Sequence, residues 1–301
     1  MDKKVFKDIF KRIMSVALIV FAIACGIGFA FVYIAPASMT AQNSMEPVVG
    51  GRVNVLLLAT DESGLRTDTI MLASFDSNRH LLNILSIPRD TRLIIGKHAQ
   101  KINAAFALGD KNNRQDNTIK YVKELTGLPI NYYAVIHPKG FRDVIDSLGG
   151  VYIDVPIRMY YSDPDQDLLI DLKPGYQKLD GKKAEQFTRF RSYPTGDLGR
   201  VDAQRKFIEA LFEQKLKPEY ILKSGELFNK ISKSVNTNFK MSDIPLLIKL
   251  LQPMNKDSLR TFEMPGGPQM VSGISYVISD VPKTRELINK EFLGKDESVK
   301  K

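Results

Sequence analysis

LRTDTIMLASFDSNRHLLNILSIPRD, residues 65–90, holds two strand-like runs and four charges that set the architecture of the chain. Two apolar, β-branched runs, 69–75 and 80–87, flank Asp76-Ser77-Asn78-Arg79, which is turn chemistry, so the segment predicts a β-hairpin. Antiparallel pairing brings the two outer ends together. Arg66 and Asp68 enter the first strand where Arg89 and Asp90 leave the second, and Pro88 stops the ladder there because it has no N–H to give. Four charges then meet at one end of a sheet. The plainer reading is a pair of solvated surface salt bridges, worth little; the rest of the chain argues for more.

The chain has 301 residues, 44% of them hydrophobic, enough for one large domain or two small ones with a real core. Its formal net charge of +9 points to an anionic partner and does not by itself choose among nucleic acid, a lipid surface and a phosphorylated substrate. Residues 15–35, SVALIVFAIACGIGFAFVYIA, carry no charge and match the roughly 20 residues an α-helix needs to cross a bilayer. Lys3, Lys4, Lys7, Lys11 and Arg12 precede this run. The positive-inside rule therefore places a short basic tail, residues 1–14, in the cytoplasm and everything after Pro36 outside. A cleaved signal peptide is the alternative, disfavoured because its apolar core is usually only about 7 to 15 residues. The single cysteine, Cys25, lies inside the apolar run, so the outer part has no disulfides.

Residues 36–52, with Ser38, Thr40, Pro47, Gly50 and Gly51, read as a polar linker. Residues 53–59, VNVLLLA, predict a strand buried on both faces, with Asp61 just past its end. A short helix opens at Lys101-Ile102-Asn103, a second spans 116–126 with Gly127 as its cap, and a strand follows at 131–136. A helix over 141–148 stops at Gly149-Gly150, and a strand takes 151–155. Strand, helix, strand at this spacing argues for a layered α/β domain. Residues 160–171 carry Asp163, Asp165, Asp167 and Asp171 but lack the glycine and the terminal glutamate of a calcium loop, and read as a solvated acidic loop. Residues 181–190 predict a helix. Residues 191–199, rich in Pro and Gly, read as a flap, and 200–251 as a helical region. A last strand is expected at 259–264 and a last helix at 282–292.

The groups placed near the hairpin end are Arg66, Arg89, Arg189, Arg191, Arg200 and Lys101, against Asp61 and Asp68. An arginine cluster without a ligand repels itself, whereas planar guanidinium forks match phosphate oxygens, so the excess suggests a bound polyanion. Asp61 and Asp68 are then explained as ligands of a hard cation shared with the phosphates. Mg²⁺ is the simplest choice, with Mn²⁺ as its substitute, because it keeps several waters and needs only one or two carboxylates. The alternative is that the two aspartates only balance the arginines. No nucleophile motif or phosphate-binding loop is present, and His80, His98 and His137 lack metal-ligand spacing and read as ordinary surface or packing histidines.

The N-terminal anchor together with LRTDT at 65–69, SIPRDT at 86–91, KINAAF at 101–106, RFR at 189–191 and DLGRVDAQR at 197–205 resembles the LytR-CpsA-Psr family of Gram-positive cell-wall ligases. The resemblance covers about 53–216, the expected catalytic domain, and leaves 217–301 as a mostly helical part expected to pack on the same domain. It implies a three-layer α-β-α sandwich around a mixed central sheet, with a pocket for a polyprenyl chain and an arginine-lined mouth. It also implies transfer of an anionic glycopolymer, such as wall teichoic acid or capsule, from undecaprenyl pyrophosphate to a hydroxyl of peptidoglycan. Carried over position by position, Asp61 and Asp68 resemble the magnesium carboxylates, while Arg66, Arg89, Lys101, Arg189, Arg191, Arg200 and Gln204 resemble the pyrophosphate-binding set. Asp68 is the choice for the base, with Arg89 beside it as the second catalytic residue. Phosphoryl transfer asks mainly for positioning and charge neutralisation, which suits this set. Two rivals stand beside it. One is a non-catalytic wall-polymer or polyprenyl-phosphate binder, and the other a transcriptional attenuator, which the expected place outside the membrane argues against, as it does against nucleic acid as a partner.

Overall fold

The computed structural model describes residues 44–163, 168–190, 192–193, 203, 206–207, 210–211, 213–215, 229, 231–251, 253–254 and 256–295. The expected membrane helix at 15–35 lies outside these. Among the described residues no helix is long and apolar enough to cross a membrane.

The strand read from VNVLLLA is β1, Arg52–Thr60, buried from Val53 onward. The 65–90 hairpin is β2, Thr67–Asp76, and β3, Leu81–Ser86, paired antiparallel from Asp76↔Leu81 to Met71↔Ser86. Its turn sits one residue later than the composition suggests. Asp76 Oδ1 accepts the N–H groups of Asn78 and Arg79, both at 3.0 Å, and His80 takes a φ of 53°, so His80 belongs to the turn and not to the strand. β1 pairs antiparallel with β2 and parallel with β6, Tyr132–Ile136. β11, Val235–Thr237, and β12, Leu259–Glu263, complete a mixed six-stranded sheet in the order β11-β6-β1-β2-β3-β12.

Alternation along β1 divides the core. Val53, Val55, Leu57 and Ala59 pack on one face with Phe141, Val144 and Ile145 of one helix and Ala184 and Phe187 of another. Leu56 and Leu58 pack on the opposite face with Ile102 and Ala105 and with Ile119, Val122 and Leu125. Helices thus cover both faces, which is why β1 has no polar side. In chain order they are α1, Ile102–Ala105; α2, Gln115–Thr126; α3, Pro138–Ser147; and α4, Gly181–Arg189. They continue with α5, Ile244–Leu251, and α6, Val281–Leu287, which runs into a π-helical turn over Ile288–Phe292. Full burial of each β1 leucine is worth about 1.5–3 kcal/mol.

Three expectations are corrected. The acidic segment at 160–171 is not a loop: β8, Met159–Asp163, and β9, Leu168–Leu172, form a hairpin. Met159, Ile170 and Leu172 are buried, and Asp171 takes the exposed position between the two buried residues of β9. The 200–251 region is not wholly helical, because β11 interrupts it. Its three residues are held to the sheet edge by the ladder to β6 and by Thr237 Oγ1 on Tyr133 O, too short a run to show a period. The strand at 259–263 is not the last, since β13, Gly266–Val271, and β14, Ile274–Ser279, follow as a hairpin turned by Ser272 and Gly273, both at positive φ. Two further ribbons complete the fold: β4, Arg92–Ile95, with β5, His98–Lys101, and β7, Val151–Val155, with β10, Gly175–Leu179.

Candidate active site

The turn from β1 to β2 shapes the site. Asp61 N–H donates to Arg66 O at 2.9 Å and Gly64 N–H to Asp61 O at 3.0 Å, with Gly64 at a φ of 68°. The Asp61 carboxylate is fixed inside this turn: Oδ1 accepts from Ser63 Oγ at 2.7 Å and from the N–H groups of Leu65 and Arg66. Beyond it the ladder slips. Ala59 pairs with Thr69 and Thr60 with Thr67, so Asp68 is the extra residue of a β-bulge. Bulges re-aim a side chain, and this one places a carboxylate only 3% exposed where the guanidinium of Arg89 donates to it.

Arg89 follows Pro88 just past β3, and its carbonyl is held by Asn103 N–H at 3.1 Å. Burial pulls its guanidinium down to about 10, opposed by the charge of Asp90, so it remains a cation at neutral pH. The ion pairs continue outward: Arg89 Nε lies 3.9 Å from Asp90 Oδ2, and Lys101 Nζ lies 2.8 Å from Asp90 Oδ1.

Asp61 and Asp68 line one pocket together with Glu62, Glu185, His137 and Arg189, over an apolar floor that includes Ile136 and Phe141. Glu185 bridges two arginines, taking Arg189 Nη1 at 2.8 Å and Arg142 Nη1 at 2.7 Å. His137 precedes α3, and its Nδ1 is 2.6 Å from Thr60 Oγ1. The sequence-predicted residues Asp61, Asp68 and Arg189 therefore share a wall, Arg89 joins them through Asp68, and Lys101 joins through Asp90. Arg66 stands apart: it is exposed, and among the described residues it forms no ion pair. Arg191, Arg200 and Gln204 lie outside the described residues. Thr60, Glu62, His137, Arg142 and Glu185 were not foreseen. Glu185 could have been, from its i,i+4 spacing to Arg189, whereas nothing in the sequence joins His137 to Thr60.

Among the described residues the pocket wall carries more carboxylate than guanidinium, while Arg191 and Arg200 of the expected arginine-lined mouth lie outside them. No group of three or more His, Cys, Asp or Glu is gathered as a closed metal cage among these residues. The donors fit Mg²⁺ nonetheless. They are all hard oxygens, Asp61 is held in place by three donors of its own turn, and a cation that keeps its waters needs only two such carboxylates.

Residues 35–292 match the LytR_cpsA_psr family. The chain belongs to the LytR-CpsA-Psr family. The match runs past 216, where the sequence resemblance ends, and takes in β11 through β14. An uncharacterized protein of Staphylococcus aureus is 30% identical over 77% of this chain, which covers 57% of that protein. A protein of Oceanobacillus iheyensis named polyisoprenyl-teichoic acid–peptidoglycan teichoic acid transferase TagU is 32% identical over 80% of the chain, which covers 75% of it. Bacillus subtilis TagV, named for the same transfer, is 30% identical over 67% of the chain, which covers 52% of it. The chain thus spans little more than half the length of two of these LytR-CpsA-Psr relatives. The crystal structure of B. subtilis TagV superposes with a TM-score of 0.65 at 25% identity, over 81% of this chain and 98% of that one.

Proposed function

We propose that this chain is a membrane-anchored phosphotransferase acting outside the cell, which moves an anionic glycopolymer such as wall teichoic acid or capsule from polyprenyl pyrophosphate to a hydroxyl of peptidoglycan. Family membership and the transferase names of two relatives support the reaction class. The observation in this chain that carries it is the bulge at Asp68, which sets one carboxylate against Arg89 and beside Asp61 at the mouth of a pocket. The uncharged run at 15–35, with basic residues before it, supports the anchor and an outward-facing domain.

In the reaction the acceptor oxygen bonds to the polymer-side phosphorus while the bond from that phosphorus to the bridging oxygen breaks, and polyprenyl phosphate leaves with the electron pair. Arg89 and Arg189, with Lys101 behind them, present cations to the phosphate oxygens and hold the two reacting groups in line. As Arg89 turns its fork to phosphate, Asp68 is released to take the acceptor hydroxyl's proton. Mg²⁺, or Mn²⁺ in its place, would be held by Asp61 and Asp68 and would neutralise charge gathering on the pyrophosphate oxygens. A simple anion binder has no use for four carboxylates on the pocket wall, which favours the enzyme. The test is to incubate the full chain with a short glycan on lipid pyrophosphate and with peptidoglycan oligomers, with and without Mg²⁺. Glycan joined to peptidoglycan, with release of lipid phosphate, is expected; binding of the lipid without transfer would leave a carrier protein.

A further inference from the structure

Outside the pocket, β4 and β5 carry a second group of cations. Arg92 and Lys101 are register partners on this ribbon, hence neighbours on one face, and like charges placed directly opposite destabilise a ladder. Two features offset the repulsion. Asp90 takes Lys101, and the ring of Tyr276, 4% exposed, lies under both cations, with Arg92 Cζ 5.9 Å and Lys101 Nζ 6.0 Å from its centroid. Tyr276 comes from β14 and is docked there by Val277 N–H on Asp90 O at 2.9 Å and by the bridge between Thr91 and Val277. Among the described residues Arg92 is left without an anion: it forms no ion pair, and its buried Nε has no acceptor.

We propose that Arg92 and Lys101, floored by Tyr276, form a second anion subsite that takes a phosphodiester of the polymer next to the pyrophosphate. The inference rests on the function proposed above and adds to it the part of the substrate that is read. The two places are joined by a continuous run of ion pairs, Asp68 to Arg89 to Asp90 to Lys101, so a chain leaving the pocket by Arg89 meets Arg92 next. A guanidinium fork matches a phosphodiester's two free oxygens, and a partner anion there would remove the repulsion between Arg92 and Lys101. The hairpin of β13 and β14 thereby gains a role, as the element that supplies the aromatic floor.

The experiment measures binding by the full chain in detergent, with two probes: geranylgeranyl pyrophosphate, and a prenyl pyrophosphate bearing a disaccharide and three glycerol phosphates. Arg92→Gln should leave the first affinity within about twofold and weaken the second by about tenfold, the loss of one charge-assisted contact. Arg92→Lys, which keeps the charge and the fold, should fall between. If Arg92→Gln weakens both probes equally, Arg92 belongs to the pyrophosphate site and the inference fails; if it weakens neither, the pair is surface charge and the inference fails as well. A parent that binds both probes while the variant loses nothing overturns only this inference. A parent that binds neither overturns the proposed function with it.

Discussion

Arg89 sits where a strand ends, a proline forbids further pairing and a buried carboxylate faces it, so its planar fork can exchange one anion for another. Lysine would keep the charge and lose the fork. Arg89→Lys should lower transfer, read as kcat/KM for the lipid substrate, by at least about tenfold, the worth of a charge-assisted hydrogen bond. Unchanged transfer would reduce Arg89 to a salt-bridge partner of Asp68. At this scale the sequence was legible where charge stood beside a strand break. Asp68 and Arg89 could be placed together because the hairpin's ends must meet, and Asp61 because it stands just past the end of β1. Thr60 with His137, and Arg142 with Glu185, could not, because each pair meets only after β6 and the helices have folded against β1.

The turn between β2 and β3 does more than reverse the chain. Asp76, 1% exposed, binds Arg52 and Arg79, and those two arginines donate to the carbonyls of Glu291, Phe292 and Leu293, tying the C-terminal π-helical turn to the hairpin. Burial alone would raise the Asp76 carboxyl, but the hydrogen bonds from Arg79 and the charges of Arg79 and Arg52 hold it below its ordinary 3.8. The unfolded chain therefore takes up this proton first as pH falls. The stabilisation is complete above pH 3.8 and is lost as pH drops through the lower folded value. Asp76→Asn should cost about 2 kcal/mol at pH 7 in urea unfolding, and the gap from the parent should narrow at pH 3. An equal gap at both pH values would mean that shape, not charge, holds the turn. Among the elements, those with a clear apolar pattern and a bounding glycine or charge were readable: β1, α2 and β7 lie within a residue or two of expectation. The β13–β14 hairpin was missed although Ser272-Gly273 is a turn signal, because Gly266, Gly267 and Pro268 hide the first strand's alternation. The three-residue β11 exists only through its neighbours.

At the scale of the molecule, β12 pairs parallel with β3 on the far edge of the sheet, so chain from beyond residue 216 builds the same sheet that carries the site. The pocket opens at the end of this sheet where β1 passes into β2 and β6 passes into α3, which is where ligands gather in open α/β folds. An outward-facing domain on an uncleaved anchor predicts that protease added to intact, wall-stripped cells digests residues 53–301. Full protection, with digestion only after lysis, would contradict the topology.

If the two carboxylates work on the reacting phosphate and do not merely balance cations, binding and turnover come apart in Asp68→Ala. With Arg89, Arg189 and Lys101 intact, affinity for the lipid pyrophosphate should stay within about tenfold of the parent, or about 1.4 kcal/mol. Transfer should fall by a far larger factor, and the parent's transfer should vanish with a chelator and return with Mg²⁺ or Mn²⁺. Normal transfer by Asp68→Ala, or a parent rate indifferent to chelation, would reduce the two carboxylates to counter-charges for the arginines.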